Sequence, residues 1–111
     1  MPRTTRLAER EVDFQRAVIE LARACGWKVV HFRAARTLHG WRTPYEGDPQ
    51  FPDLILAKAE QPVIYAELKV GRKQPTGEQW IWLETLASAT GTEVYVWRPT
   101  DWPTIQARLQ T

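Results

Sequence analysis

The sequence predicts one domain of the α/β (α+β) class, with helices flanking a mixed central sheet in the order α-β-β-β-α-β-α. The length of 111 residues suits a single compact domain. Hydrophobic residues make up 43% of the chain and charged residues 25%, as in ordinary globular proteins. Segments with apolar residues at helical spacing alternate with short runs of β-branched and aromatic residues. Helices and strands mixed in this way pack as layers on one sheet.

The N-terminal third of the chain predicts one helix followed by one strand. Residues 8–25 carry a single apolar stripe at helical spacing, and Gly26 marks the end of this helix. Residues 27–33 are rich in β-branched and aromatic side chains, which is typical of a strand. The polar residues 1–7 are expected to form a flexible N-terminal segment. The apolar stripe consists of Phe14, Val18, Leu21, Ala22 and Cys25.

Residues 34–52 show no period and contain several glycines and prolines, so they are predicted to form a long loop. A loop of this length in a small domain is usually functional or disordered, and its Arg, His and Trp content favours function. Residues 53–58 and 63–70 then predict two buried central strands, joined by the turn residues 59–62. Residues 71–75 form a basic loop.

The C-terminal third predicts a helix, a strand and a short last helix. The second helix covers residues 76–90 and ends at Gly91, and the next strand covers residues 93–98. Asp101 is placed to cap the last helix. The residues of this helix that are expected to face the core are Ile105 and Leu109.

The composition argues against several classes of protein. A single cysteine, Cys25, excludes a disulfide framework and a thiolate zinc site. No apolar run approaches the ~18 residues of a membrane span. The first ten residues lack the apolar core of a secretory signal. We therefore expect a cytoplasmic protein with no membrane partner.

The basic residues are concentrated in one part of the chain, although the net charge is only +2. No Asp or Glu lies between Glu20 and Glu46, whereas basic and aromatic residues alternate there. Such a segment attracts the phosphates of nucleic acid, and the alternative is a solvated face of an Arg-rich chain. The basic residues are Arg23, Lys28, Arg33, Arg36, Arg42, His31 and His39, and the aromatic ones are Trp27, Phe32, Trp41 and Tyr45.

Three polar residues at the ends of the two central strands form the candidate site. Glu67 and Lys69 are two residues apart in a strand and so share a face. If residues 59–61 form the turn, Asp53 lies directly opposite Glu67, with Cβ atoms ~4.5–5.5 Å apart. Two carboxylates at that distance repel each other unless a hard cation such as Mg²⁺ or Mn²⁺ lies between them. The alternative is an ordinary salt-bridge ladder on an exposed sheet face.

Two segments resemble the signature of the PD-(D/E)XK nucleases. They are Phe51-Pro52-Asp53-Leu54-Ile55-Leu56 and Ala66-Glu67-Leu68-Lys69. Over about residues 11–98, the layout resembles the VRR-NUC branch, the virus-type replication-repair nucleases of phages and bacteria. Further matches to that branch are Glu11 four residues before Gln15, Gln79 near the start of a helix, and Gly91 before a strand. One departure is Phe51, which stands where a small residue is usual, and the glycine lies further back at Gly47.

The resemblance implies a restriction-endonuclease-like core that hydrolyses DNA phosphodiester bonds with Mg²⁺ or Mn²⁺ in a bacterial or phage-infected cell. It implies that Lys69 positions or activates the attacking water, and that Gln79 orients Lys69 or contacts the scissile phosphate. Glu11 would reach the metal directly or through water. The metal ligands implied are Asp53, Glu67 and the backbone carbonyl of Leu68, with Glu11 as a further candidate.

Two of these residues have structural alternatives. Gln79 is the N3 residue of a capping box that begins at Thr76. Glu11 would be favoured in the first turn of a helix by the helix dipole alone. His31 and His39 lack the further ligands that a zinc site requires, which leaves phosphate contact or a plain surface role.

The sequence as a whole therefore favours a single-domain, metal-dependent DNA endonuclease. Because one small domain carries one site, cleavage of two strands requires a homodimer, and the resemblance favours branched DNA such as a four-way junction. The alternatives are a non-catalytic nucleic-acid-binding module of the same fold, or a nuclease active only with a replication or repair partner such as a helicase or terminase. The candidate DNA contacts are Arg33, Arg36, His39, Trp41, Arg42, Arg72 and Lys73.

Overall fold

A four-stranded mixed sheet and three α-helices make up an α+β fold. The computed structural model describes the backbone of residues 3–32, 35–37, 40–42 and 47–111, and the side chains of residues 10–32 and 47–111. A short 3₁₀ turn, Pro99–Asp101, precedes the last helix. The elements are α1 (Arg3–Ala24), β1 (Lys28–His31), β2 (Ala35–Thr37), β3 (Gly40–Arg42), β4 (Leu54–Ala57), β5 (Val63–Leu68), α2 (Gly77–Ser88), β6 (Thr92–Trp97) and α3 (Trp102–Leu109).

The strand order of the main sheet is β1-β4-β5-β6. β4 runs antiparallel to both β1 and β5, whereas β6 runs parallel to β5. A parallel pair needs a crossover, and α2 provides it between β5 and β6. The two strands predicted to be central, β4 and β5, do lie in the middle of the sheet.

The predicted register between the two central strands is confirmed. Leu54 pairs with Ala66, and Leu56 pairs with Ile64. Extending this register by one residue places Asp53 opposite Glu67, as the turn length predicted. A register shifted by one residue would have placed the two acids on opposite faces.

One face of the sheet forms the main core with α1 and α3. The inward-facing residues of β4 and β5 are fully buried there, and the indole of Trp27 donates a 2.9 Å hydrogen bond to the carbonyl of Leu109. The predicted stripe of α1 contributes to this core, although Cys25 is only half-buried at its edge. Helix α2 covers the opposite face at β6, where Leu83 is buried. The residues of the main core include Phe14, Val18, Ala22, Leu54, Leu56, Ile64, Ala66, Ile105 and Leu109.

Three predicted features differ in the structure. The segment predicted as a loop contains the two-stranded antiparallel hairpin β2–β3. The chain therefore has two more strands than predicted. Helix α1 begins at Arg3, so residues 3–7 are helical rather than a separate segment. Asp101 does not cap α3 with its side chain; it accepts a 2.8 Å hydrogen bond from the backbone N–H of Arg98, because the 3₁₀ turn intervenes. In the part of the chain that the structure describes, no helix is long and apolar enough to cross a membrane.

Candidate functional site

The candidate site lies where β4 begins and β5 ends. Asp53 immediately precedes β4, and Glu67 is the second-last residue of β5. Lys69 follows β5 and keeps an extended backbone, because its N–H donates to the carbonyl of Trp97 at 3.0 Å. Glu67 and Lys69 therefore project from one face, and their charged groups are 3.9 Å apart (Nζ to Oε1).

Glu67 is buried to an extent that is unusual for a carboxylate. Only 2% of the residue is exposed. Among the residues that the structure describes, no other charged residue is buried. Its Oε1 faces Lys69 and accepts a 3.5 Å hydrogen bond from Nε2 of Gln79. While Glu67 is ionised, its Oε2 is buried without a hydrogen-bond partner among the described residues, whereas a protonated Glu67 can donate to Asp53. A buried polar atom without a partner is rare and requires an explanation, such as a functional role or a bound water or ion.

Asp53 is fixed beside Glu67 by the backbone. Its Oδ2 accepts a 2.8 Å hydrogen bond from the N–H of Leu68. This bond holds a second carboxylate next to the buried one. Burial, and then the hydrogen bond and repulsion from Asp53, raise the pKa of Glu67 to about 9, and the nearby Lys69 only partly opposes this. Without a further cation, Glu67 therefore keeps its proton at neutral pH.

Gln79 both completes the capping box of α2 and contacts the candidate site. Its backbone N–H donates to Oγ1 of Thr76 at 3.2 Å, and its Oε1 accepts from the N–H of Thr76 at 2.9 Å. This is the predicted capping box, and it fixes which end of the carboxamide faces the site. The Nε2 end then points to Glu67 and to Oε1 of Gln50, which is 3.3 Å away.

Glu11 lies near a different partner from the one that the resemblance implied. Its Oε1 accepts a 3.2 Å hydrogen bond from Nζ of Lys73, and both side chains are substantially exposed. The described contacts of Glu11 join α1 to the basic loop after β5, and none of them reaches Asp53 or Glu67. Lys73, a candidate DNA contact, thus forms an exposed ion pair. Arg72 beside it is also exposed.

The remaining candidate DNA contacts lie in residues 33–42, of which the structure describes only the backbone of 35–37 and 40–42. Arg33 and His39 lie outside the described residues. Arg36 pairs with Trp41 across the β2–β3 hairpin, and Arg42 pairs with Ala35. The hairpin therefore brings three of the predicted contact residues onto one short structural unit; only their backbone is described.

An aromatic cluster anchors the segment that leads to Asp53. The ring of Phe51 makes edge-to-face contacts with Phe32, Tyr65 and Trp82, at centroid distances of 5.5, 5.9 and 4.8 Å. The indole N–H of Trp82 donates to the carbonyl of Pro49 at 2.9 Å. Phe51, the departure from the usual small residue, thus packs the approach to Asp53 against α2 and β5.

The donor set fits a hard divalent cation. Two carboxylates meet at one point, and one of their oxygens is buried without a partner among the described residues. Oxygen ligands of this kind suit Mg²⁺ and Mn²⁺. Among the described residues there is no group of three His, Cys, Asp or Glu side chains, so any cation there would complete its coordination with backbone oxygen and water.

The structure brings together Asp53, Glu67 and Lys69, which the sequence named, but Gln50 and the unpartnered oxygen of Glu67 were not predicted. Neither has a signal in the sequence, because each depends on tertiary contacts. Comparison of the chain with protein-family models, curated proteins and solved structures found no match.

Proposed function

We propose that the chain is a divalent-metal-dependent nuclease that hydrolyses the phosphodiester bonds of DNA. The observation that carries the proposal is the buried Oε2 of Glu67, which has no partner among the described residues and lies beside a second carboxylate, Asp53. An unpaired buried charge is costly, so Glu67 must be neutralised either by a proton or by a cation, and a cation site would use the second means.

Asp53, Glu67 and the carbonyl of Leu68 would hold Mg²⁺ or Mn²⁺ at this point. When bound, the ion would supply Lewis acidity to a phosphate oxygen and lower the pKa of a nucleophilic water. This assignment rests on the chemistry of the two carboxylates and on the resemblance of the sequence to the VRR-NUC nucleases.

Lys69 is the group that would act on the reacting atoms. Its ammonium lies 3.9 Å from Glu67, and only 15% of its side chain is exposed. A positive charge held there would donate hydrogen bonds to the attacking water and stabilise the negative charge that develops on the phosphate. Gln79, fixed by its helix cap, would hold the Oε1 of Glu67 in place.

The substrate is proposed to be branched DNA, cut by two copies of the chain. One domain offers one pair of carboxylates, so symmetric cleavage of two strands needs a second copy. The basic hairpin and the loop that carries Arg72 would contact the backbone on either side of the site. Light scattering coupled to size exclusion would measure the oligomeric state.

A cleavage assay tests the proposal. Linear duplex, flap and four-way junction DNA are incubated with Mg²⁺, Mn²⁺ or EDTA and with the wild type, Lys69→Ala or Lys28→Ala. Although Lys28 belongs to the basic segment of the sequence, it is exposed and pairs with Ala57, at the end of β4 remote from Asp53, so its variant controls for the loss of one positive charge. We expect metal-dependent cutting by the wild type and Lys28→Ala but not by Lys69→Ala. Metal-independent binding without cutting would favour the binding-module alternative, and cutting only with an added helicase or terminase would favour the partner-dependent one.

A further inference from the structure

Gln50 has a backbone conformation that glutamine rarely adopts. Its φ is 71°, in the left-handed region that favours glycine. Among the described residues, the other non-glycine residue with positive φ is Glu60, in the turn between β4 and β5. Strain of this kind persists only where the surroundings impose it, and it is concentrated at functional sites.

The neighbours of Gln50 hold it in this conformation. On one side, the carbonyl of Pro49 accepts the indole hydrogen bond of Trp82. On the other side, the ring of Phe51 is packed in the aromatic cluster with Phe32, Tyr65 and Trp82. With both neighbours anchored, the Gln50 side chain is directed to the candidate site.

A relay of hydrogen bonds fixes the orientation of the Gln50 carboxamide. The backbone N–H of Thr76 can only donate, so the atom of Gln79 that it contacts is Oε1. The other end of the Gln79 carboxamide is therefore the donor Nε2, and the atom of Gln50 that it faces at 3.3 Å is the acceptor Oε1. Among the described residues the Nε2 of Gln50 has no partner, so its N–H groups are available to a ligand, and the residue is exposed.

We infer that Gln50 binds a non-bridging oxygen of the substrate phosphodiester through one of these N–H groups. Gln79 links it directly to Glu67, since its Nε2 donates to both residues. A neutral donor suits this position, because it attracts a phosphate oxygen without competing with a cation for the carboxylates. The inference rests on the proposed function and adds a substrate-contacting residue to it.

Two substitutions at Gln50 separate backbone strain from phosphate contact. Gln50→Gly removes the side chain and relieves the strain, so we expect a Tm a few degrees higher and a kcat/KM at least about tenfold lower. Gln50→Glu keeps an acceptor for Gln79 but replaces the N–H donors with an anionic oxygen. For this variant we expect the KM for DNA to rise about tenfold or more.

Glu60→Gly is the matched control. It relieves the same kind of backbone strain in an exposed turn, so it should raise Tm similarly and leave cleavage within twofold of the wild type. A Gln50→Gly variant that is more stable and cleaves as fast as the wild type would overturn the inference alone, and so would an unchanged KM in Gln50→Glu. No cleavage by the wild type on any of the three DNA substrates would overturn the proposed function together with the inference.

Discussion

Two glutamates on neighbouring strands, Glu67 in β5 and Glu93 in β6, lie on opposite faces of the sheet and in opposite chemical situations. The carboxylate of Glu93 is fully engaged by its own chain. Its Oε1 accepts from Nε of Arg108 at 2.7 Å and from the hydroxyl of Tyr95 at 2.5 Å, and its Oε2 accepts from Nη2 of Arg108 at 3.3 Å. These contacts, led by Arg108, hold the pKa of Glu93 below its usual value.

Glu67 is more deeply buried and has fewer partners. One of its oxygens has none among the described residues, and its nearest charged neighbours are an acid and a single lysine. The carboxylate of Glu93 is completed by side chains and joins α3 to β6, whereas the ionised carboxylate of Glu67 lacks a partner for one oxygen among the described residues. Under the proposed function, Glu93 is a structural acid and Glu67 a metal ligand.

Neutralising Glu67 should abolish most of the activity, whereas neutralising Glu93 should leave it unchanged. Glu67→Gln removes a ligand of the proposed metal ion, so we expect DNA cleavage to fall by about a thousandfold or more. Glu93→Gln leaves the site intact, so cleavage should stay within twofold of the wild type once both proteins are confirmed to be folded. A Glu67→Gln variant that retains cleavage would contradict the proposal that Glu67 holds the metal ion.

The same two variants should also differ in stability and in the effect of Mg²⁺. In EDTA, Glu67→Gln should be at least as stable as the wild type, because it removes a buried acid held beside Asp53. Glu93→Gln should lose about 1 kcal/mol, since its partly exposed ion pair is weakened. At a concentration of 100 Kd, Mg²⁺ should stabilise the wild type by about 2.7 kcal/mol and leave Glu67→Gln unchanged. Urea unfolding with Mg²⁺ or EDTA measures each of these differences.

The pH dependence of stability should have opposite signs for the two glutamates. The folded protein keeps a proton on Glu67 up to a pKa of about 9, whereas the unfolded chain loses it near 4.5. The folded state thus binds more protons in this window, and the metal-free protein should lose stability as the pH rises through it. The lowered pKa of Glu93 acts in the other direction, because its contribution is present above 4.5 and is lost as the pH falls.

Urea unfolding in EDTA between about pH 5 and pH 9 tests this sign. The wild type should lose stability with rising pH relative to Glu67→Gln. Parallel curves for the two proteins would show that Glu67 titrates normally, which the burial of its carboxyl argues against.

The smallest expected effect is on stability, and it separates the role of Gln79 in capping α2 from its contact with Glu67. Thr76→Ala removes the hydroxyl that caps α2 and should cost about 1 kcal/mol of stability. It leaves the backbone N–H that orients the Gln79 carboxamide, so cleavage should be unchanged. Gln79→Ala should lose both stability and cleavage. Equal rates for these two variants would mean that the contact between Gln79 and Glu67 has no role in the reaction.

The parts of the fold that were predictable are those in which local pattern and tertiary structure agree. The turn after Lys58 set the register of β4 and β5, and the box that begins at Thr76 set the start of α2. The β2–β3 hairpin was missed because its strands have three residues each, which is too short for an alternation of polar and apolar residues to show. Asp101 was misassigned because a 3₁₀ turn before α3 is not visible in the residue types.

The parts of the candidate site that depend on local pattern were predictable, and those that depend on tertiary contacts were not. The opposition of Asp53 and Glu67 followed from the register and from side-chain alternation. The position of Glu11 beside Lys73 depends on how α1 packs, and the strained backbone of Gln50 depends on contacts to α2. Neither can be obtained from local spacing, since both result from how distant segments meet.

Titration calorimetry with Mg²⁺ tests the central claim most directly. Two buffers with different ionisation enthalpies report how many protons binding releases, and Glu67→Gln serves as the control. If a divalent cation completes the two carboxylates, the metal displaces the proton that Glu67 holds, so the wild type should release about one proton per ion at neutral pH. Glu67→Gln should neither bind at the same concentrations nor release a proton. Absence of Mg²⁺ and Mn²⁺ binding to the wild type, or binding unchanged in Glu67→Gln, would contradict the claim.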